Sequence, residues 1–324
     1  MSEKAQIMTQ KFAFDSDDFV IESAVVASHQ DYFFVAHHVP SLDQGNYRTH
    51  LLRCANGEWS ELARWPWHSV GLVVPSLSPL RVEVLGRDGE IGVLAGERIS
   101  QENLEPGTAI GPMRKIEIVF GRVMAYGMQR HIFVRETSGR WIRLDRGMAE
   151  EVPADDFDID TAIRRGIKSS GGINAIVSYQ KDRLLAFGLR GEVWRFLVDT
   201  WKQMDSPTNA MLKDAVTGPD GDIYVVGLRG TLLKGHDNYW QQVDYRGPGG
   251  LGFCSVNCFQ NRIYVADGHS LRVLADGDLN VIDFGVEEIV PCMQIATGAD
   301  EIMSVAGQEI WVSLDGIKWR TVVG

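Results

Sequence analysis

The sequence is short of cysteine: Cys54, Cys254, Cys258 and Cys292 are the only four in 324 residues. Four thiols in that length make no disulfide framework. Cys254 and Cys258 lie in an apolar stretch of extended character. At ~3.3 Å per residue they stand about 13 Å apart, too far for a bridge or a shared metal. All four are expected to be reduced and mostly buried. Long apolar runs are missing too. No stretch of 18 apolar residues occurs, and the start, MSEKAQIMTQKFAFDSDD, has no hydrophobic segment of the signal-peptide kind. A cytoplasmic location without membrane contact is expected. Positive charge is in deficit, with 32 Lys and Arg against 43 Asp and Glu, a formal net charge of −11. Such a molecule repels phosphate backbones, which argues against nucleic acid and favours a basic protein partner. Solubility is the competing account of the same charge.

Catalytic signatures are lacking as well. His37 and His38 have no partner at metal-ligand spacing, the eight histidines are scattered, and no Ser-, Cys- or Tyr-based triad has a local signature. No metal, cofactor or catalytic residue is assigned.

What the sequence does contain is a repeat. Residues 181–204 and 220–244 superpose at an offset of 39, which brings Gly188 onto Gly227, Gly191 onto Gly230 and Trp201 onto Trp240. Extended both ways, the offset recovers seven units. Each has an apolar strand, a glycine-bearing turn, a second apolar strand, and a polar turn into a short strand that often opens with tryptophan. Trp59, Trp141, Trp201, Trp240 and Trp319 are such residues, and their periodicity marks them as core. A further apolar stretch precedes each unit. The runs are short, rich in Val, Ile, Leu, Phe and Tyr, and bounded by Gly, Asp and Asn, too closely spaced for helical crossovers. The expected fold class is all-β: a seven-bladed β-propeller of four-stranded antiparallel blades. Residues 1–324 are read as one domain, with an insertion at about 146–172 between the third and fourth blades. The alternation in residues 8–14 suits an added outer strand, and ring closure is expected to rely on side-chain packing.

The run VVGLRGTLLKGHDNYW (residues 225–240) resembles the repeat of Asp-box (BNR) and photosystem II assembly-factor-type (YCF48-like) seven-bladed propellers. The run SLDGIKW (residues 313–319) is similar to an Asp-box, one residue short. The resemblance implies that Asp315 and Trp319 tie the turn between the third and fourth strands of a blade. Enzymes and non-enzymes both carry this motif, so no function follows from it.

Three breaks in the repeat point to one elaborated face. Residues 40–47 lengthen a turn between second and third strands. Trp65, Pro66, Trp67 and His68 lengthen a blade-to-blade connection, and the 146–172 insertion lengthens another. In a propeller these two kinds of loop emerge on the same side, and so do Tyr245 and Arg246. Trp65, Trp67 and Tyr245 are therefore candidate anchors for a partner, with burial between blades the other reading for the two tryptophans. Arg87, Arg130, Arg190 and Arg229 occupy the same class of turn in four units. An arc of guanidinium groups, facing a protein or a small anion, competes with plain solvated turns. The insertion carries Glu150, Glu151, Asp155, Asp156, Asp158 and Asp160. Its D-x-D-x-D opening resembles a calcium loop, but Thr161 stands where glycine belongs and Ile167 where the last glutamate belongs. An acidic, partner-facing or solvated loop is the better reading, with Asp160 placed to cap a short helix over 161–167. Together these features favour a non-enzymatic, protein-binding propeller: a specific inhibitor of the toxin-immunity type, or an assembly factor. The alternative is a hydrolase of glycans or lactones, with its active site in the central funnel.

Overall fold

Short apolar runs separated by Gly, Asp and Asn fold most readily into successive antiparallel hairpins, and a computed structural model shows seven such sheets in a ring. The structure describes residues 6–11, 18–43, 47–107, 110–137, 139–148, 171–180, 183–246 and 250–322. Each blade is a four-stranded antiparallel sheet whose strands run in sequence order from the ring's centre outwards. The seven inner strands are Phe19–Ser28, Ser69–Leu77, Met113–Val119, Ile173–Gln180, Leu212–Thr217, Ser255–Phe259 and Gln294–Thr297. Each inner strand lies against the inner strands of both neighbouring blades. The seven-bladed, all-β reading holds. The only α-helix among the described residues is the five-residue Val39–Asp43, in the lengthened turn of blade 1.

The buried apolar side chains fall into seven clusters, and each cluster joins two adjacent blades. This explains why the strand runs are nearly continuous in apolar residues: a blade buries both of its faces. A large apolar side chain buried at such an interface contributes ~1.5–3 kcal/mol. Trp201 is one example, 3% exposed, with its indole N–H donating to the Leu144 carbonyl at 2.6 Å.

The repeated glycines are needed because two backbones meet there. A Cβ on Gly188 would lie 1.9 Å from the Gly172 carbonyl oxygen, and one on Gly227 would lie 2.2 Å from that of Met211. Both glycines end a second strand, and both turns continue through an arginine at φ 59° (Arg190, Arg229) into a glycine of positive φ. In blade 7 the Asp315 carboxylate accepts backbone N–H bonds from Ile317 (2.8 Å) and Lys318 (2.7 Å), tying the turn between third and fourth strands.

The first and last blades share no strand. They meet through side chains and one backbone bridge, Ile21 N–H to Gly307 O at 2.9 Å. Glu301, 1% exposed, accepts from the Gln30 N–H and the Tyr32 hydroxyl, both at 2.9 Å, while the Gln294 side chain accepts from Ala24 N–H at 3.0 Å. The N-terminal strand forms at Gln6–Lys11, earlier than the 8–14 read from the sequence, and pairs with the outer strand of blade 1, Glu58–Trp65.

Candidate functional site

Two features could bind a partner: the face carrying the blade-to-blade connections, and the central channel beneath it. On that face, several turns between second and third strands are bonded through the backbone to the connection that follows them. Met113 N–H donates to Arg87 O at 2.7 Å, Gln129 N–H to Gly171 O at 2.8 Å, and Gly268 N–H to Cys292 O at 2.9 Å. At these blades, turns and connections form a joined rim. Arg87, Arg190 and Arg229 are exposed on this face.

Several sequence-based assignments need correction. Trp65 and Trp67 are not surface anchors, being 1% and 9% exposed and ring-stacked at 5.6 Å. Trp65 ends the outer strand of blade 1 and lies over Gly92 of blade 2, where a Cβ would be 2.5 Å from its ring. Arg130 does not extend a guanidinium arc: it makes a bidentate pair with buried Glu192, 2.8 Å on each arm, and lies over Trp194. Tyr245 is half-buried, its hydroxyl donating to Gly230 O at 3.0 Å beneath the blade 5 turn. Arg246 lies along the outer strand of blade 6, paired with Asp278 at 2.7 Å. Glu150, Glu151, Asp155, Asp156, Asp158 and Asp160, and the helix read at 161–167, lie outside the described residues.

The sequence reading missed an apolar patch on the same face. The connection from blade 6 to blade 7 exposes Val286, Ile289 and Met293, the last two at 72% and 55%. Its signal was visible as apolar residues in a stretch that forms no strand.

The channel, a cavity of about 900 Å³, is lined by all seven inner strands. Three of its charged residues form one network. The Lys115 ammonium of blade 3 lies 2.7 Å from Asp214 of blade 5 and 3.2 Å from Glu117. Asp214 also accepts from the Ser255 hydroxyl (2.9 Å) and Val256 N–H (3.0 Å) of blade 6. Glu117 accepts from the Tyr126 hydroxyl. Burial alone would lower the Lys115 ammonium, but the two carboxylates outweigh it and hold it above the ordinary lysine value. A third of the Lys115 side chain still meets channel solvent, so this set ties three blades together without a fully dry interior.

At the channel rim, Glu22, His37 and His68 converge. Burial pushes the Glu22 carboxyl up and the His37 imidazole down to about 4, while burial and the neighbouring Arg87 lower His68. The four cysteines are free thiols, and burial pushes Cys54 and Cys254 up to about 11 and Cys292 up to about 12, far from a reactive thiolate.

No protein-family model matches the chain. Among solved structures, YCF48 from Cyanidioschyzon merolae is similar with a TM-score of 0.63 at 16% identity, covering 92% of this chain and 95% of that one. The WD40 β-propeller domain of Doa1 is similar at 0.63 and 13% identity, over 96% and 95%. A structure of YCF48 bound to D1 peptide gives 0.59 at 14% identity, over 94% and 92%. These likenesses show the propeller fold. In sequence, the chain is 27% identical over 273 residues to the Immune protein Tsi7 of Pseudomonas aeruginosa, a match that spans 83% of this chain and 84% of that protein.

Proposed function

We propose that this chain is a non-enzymatic, protein-binding propeller of the immunity type, acting in the cytoplasm by holding a specific protein partner on its loop face. The observation that carries the reading is the relation to Immune protein Tsi7, which extends over most of both chains rather than over one motif. The exposed rim arginines and the apolar connection between blades 6 and 7 supply the two ingredients of a protein contact, cationic anchors beside desolvatable surface. In sequence, the acidic residues of the 146–172 insertion fall between the third and fourth blades, and with the net charge of −11 they suit a basic partner.

The test is to capture the partner from lysate of the source cells with the tagged chain, then express the captured protein alone and together with the chain. Growth arrest by the partner, relieved by co-expression, is the expected result. A partner that is harmless when expressed alone would overturn the immunity reading.

Hydrolysis in the central funnel is the second reading, favoured by one observation, the convergence of Glu22, His37 and His68 at the rim. Against it, the channel carboxylates Glu117 and Asp214 are both tied to Lys115, which leaves them poorly placed as a general acid and base.

A further inference from the structure

Glu22, His37 and His68 are separated in sequence and brought together by the ring. Glu22 stands on the inner strand of blade 1, His37 near the end of its second strand, and His68 in the connection to blade 2. One potential ligand atom from each lies within 4.8 Å of the other two. The two imidazole rings are 4.5 Å apart and inclined at 43°, so they meet at an angle instead of stacking flat. We propose that these three residues form a zinc(II) site at the mouth of the channel, with two imidazole nitrogens and one carboxylate oxygen as donors.

The surroundings are those of a ligand set. His37 Nδ1 lies 3.1 Å from the Arg48 carbonyl, so its N–H donates there and Nε2 keeps the lone pair. A histidine held through its far nitrogen by a backbone carbonyl is the usual support for a metal ligand. The Ser69 hydroxyl is 3.3 Å from Nε2, a long contact that a metal replaces at little cost. His68 is fixed from two sides: its carbonyl accepts the Arg87 N–H at 2.8 Å, and the Tyr47 ring packs at 5.1 Å. Among the described residues Glu22 has no hydrogen bond or ion pair, and burial is the only influence on its carboxyl. Its side chain lines the channel wall, surrounded by protein groups yet open to channel solvent.

Tetrahedral zinc holds its donors at ~2.0–2.1 Å, which sets them about 3.3 Å from one another. A spread of 4.8 Å closes to that distance by rotation of the Glu22 side chain and a small tilt of His68. Two nitrogens and one oxygen suit zinc, whereas calcium and magnesium take all-oxygen shells of higher coordination number. Three protein ligands leave a fourth position for water or for a side chain of a partner. The site stands apart from the immunity reading and does not depend on it.

The experiment uses the whole chain, stripped with chelator and titrated with zinc chloride in a calorimeter. The same titration is run on His68→Ala and Glu22→Gln, two variants that spare the buried His37, and their melting temperatures are checked against the parent. One equivalent of zinc should bind to the parent. Each variant should bind at least about tenfold more weakly while remaining folded. Cobalt(II) in place of zinc should give the visible absorption of a tetrahedral centre, lost in both variants. Absence of stoichiometric binding by the parent overturns the proposal. So does either variant binding as tightly as the parent, the outcome expected if the thiols were taking the zinc instead.

Discussion

Replacing Glu301 by alanine opens the seam between the first and last blades. The carboxylate is 1% exposed and accepts two hydrogen bonds from blade 1, from Gln30 N–H and the Tyr32 hydroxyl, with His29 at 3.2 Å and Arg320 at 3.5 Å beside it. Alanine leaves both donors without an acceptor in a region that water does not reach freely. A hydrogen bond to a charged group contributes ~1.5–3 kcal/mol. Removing the carboxylate also removes its own desolvation cost, which returns part of that sum. The net expectation is a loss of about 3 kcal/mol. For a chain of 324 residues the unfolding entropy is roughly 0.7 kcal/mol/K, so the melting temperature should fall by about 4 °C. Both blade 1 donors reach the same carboxylate oxygen, so glutamine keeps those bonds through its one acceptor. It loses the charge and turns an N–H₂ towards His29 and Arg320, so Glu301→Gln should cost about half as much. Urea denaturation of the three proteins, followed by tryptophan fluorescence, gives the values. A Glu301→Ala variant within about 1 kcal/mol of the parent, or a glutamine variant as costly as alanine, would show that the seam is held by apolar packing alone.

Trp201→Ala should destabilise the chain by about 3–5 kcal/mol in the same assay, because it empties space between blades 3 and 4 and leaves the Leu144 carbonyl unpaired. On the loop face, Arg229→Ala and Ile289→Ser should leave the melting temperature unchanged and weaken capture of the partner, by about thirtyfold at a true anchor (~2 kcal/mol); surface plasmon resonance with the captured partner decides it. Association should also slow as salt rises, since charges beyond about 8 Å are screened at physiological ionic strength. Asp267→Asn probes pH. Burial alone would raise the Asp267 carboxyl, but Arg272 and the N–H groups of Ser270 and His269 outweigh it and hold it below the ordinary aspartate value. A depressed folded-state value means stability that is present above the unfolded value of ~3.9 and lost as pH falls through the folded one. The asparagine variant should therefore be less stable by about 2 kcal/mol at neutral pH, and the gap should close below about pH 4 along a series of urea midpoints.

Most of the fold was legible because its determinants are local and repeated. Gly188 and Gly227 recur where two backbones touch, and Trp201 recurs where a blade needs filling, so the 39-residue offset reports packing directly. Contacts between blades were less legible. Trp65 and Trp67, beside a proline in a connection, look like exposed anchors, and the sign of their burial sits elsewhere: Gly92, a glycine inside a strand of the next blade. Arg130 looked like one member of an arc because its partner, Glu192, is 62 positions away. Lys115 meets Asp214 across 99 positions and an intervening blade, and the groups around His37 come from three different strands and connections. Periodicity fixes where a side chain sits in its own blade, but says little of what the next blade offers it.

The N-terminal strand bears on how this protein avoids sticking to itself. Every blade ends in an outer strand whose edge, wherever it is left unpaired, could template another chain. Six of those strands are short: Arg98–Asn103 has six residues, Thr200–Met204 five, Arg140–Arg143, Tyr239–Gln242 and Asp278–Val281 four each, and Arg320–Thr321 two. The seventh, Glu58–Trp65, has eight, and it is the one that Gln6–Lys11 covers. The molecule thus shields its longest open edge with its own leading segment. Trimming that segment would leave the ring's seven cores in place while baring an eight-residue template, and the trimmed chain would be prone to pair edge to edge with its own copies.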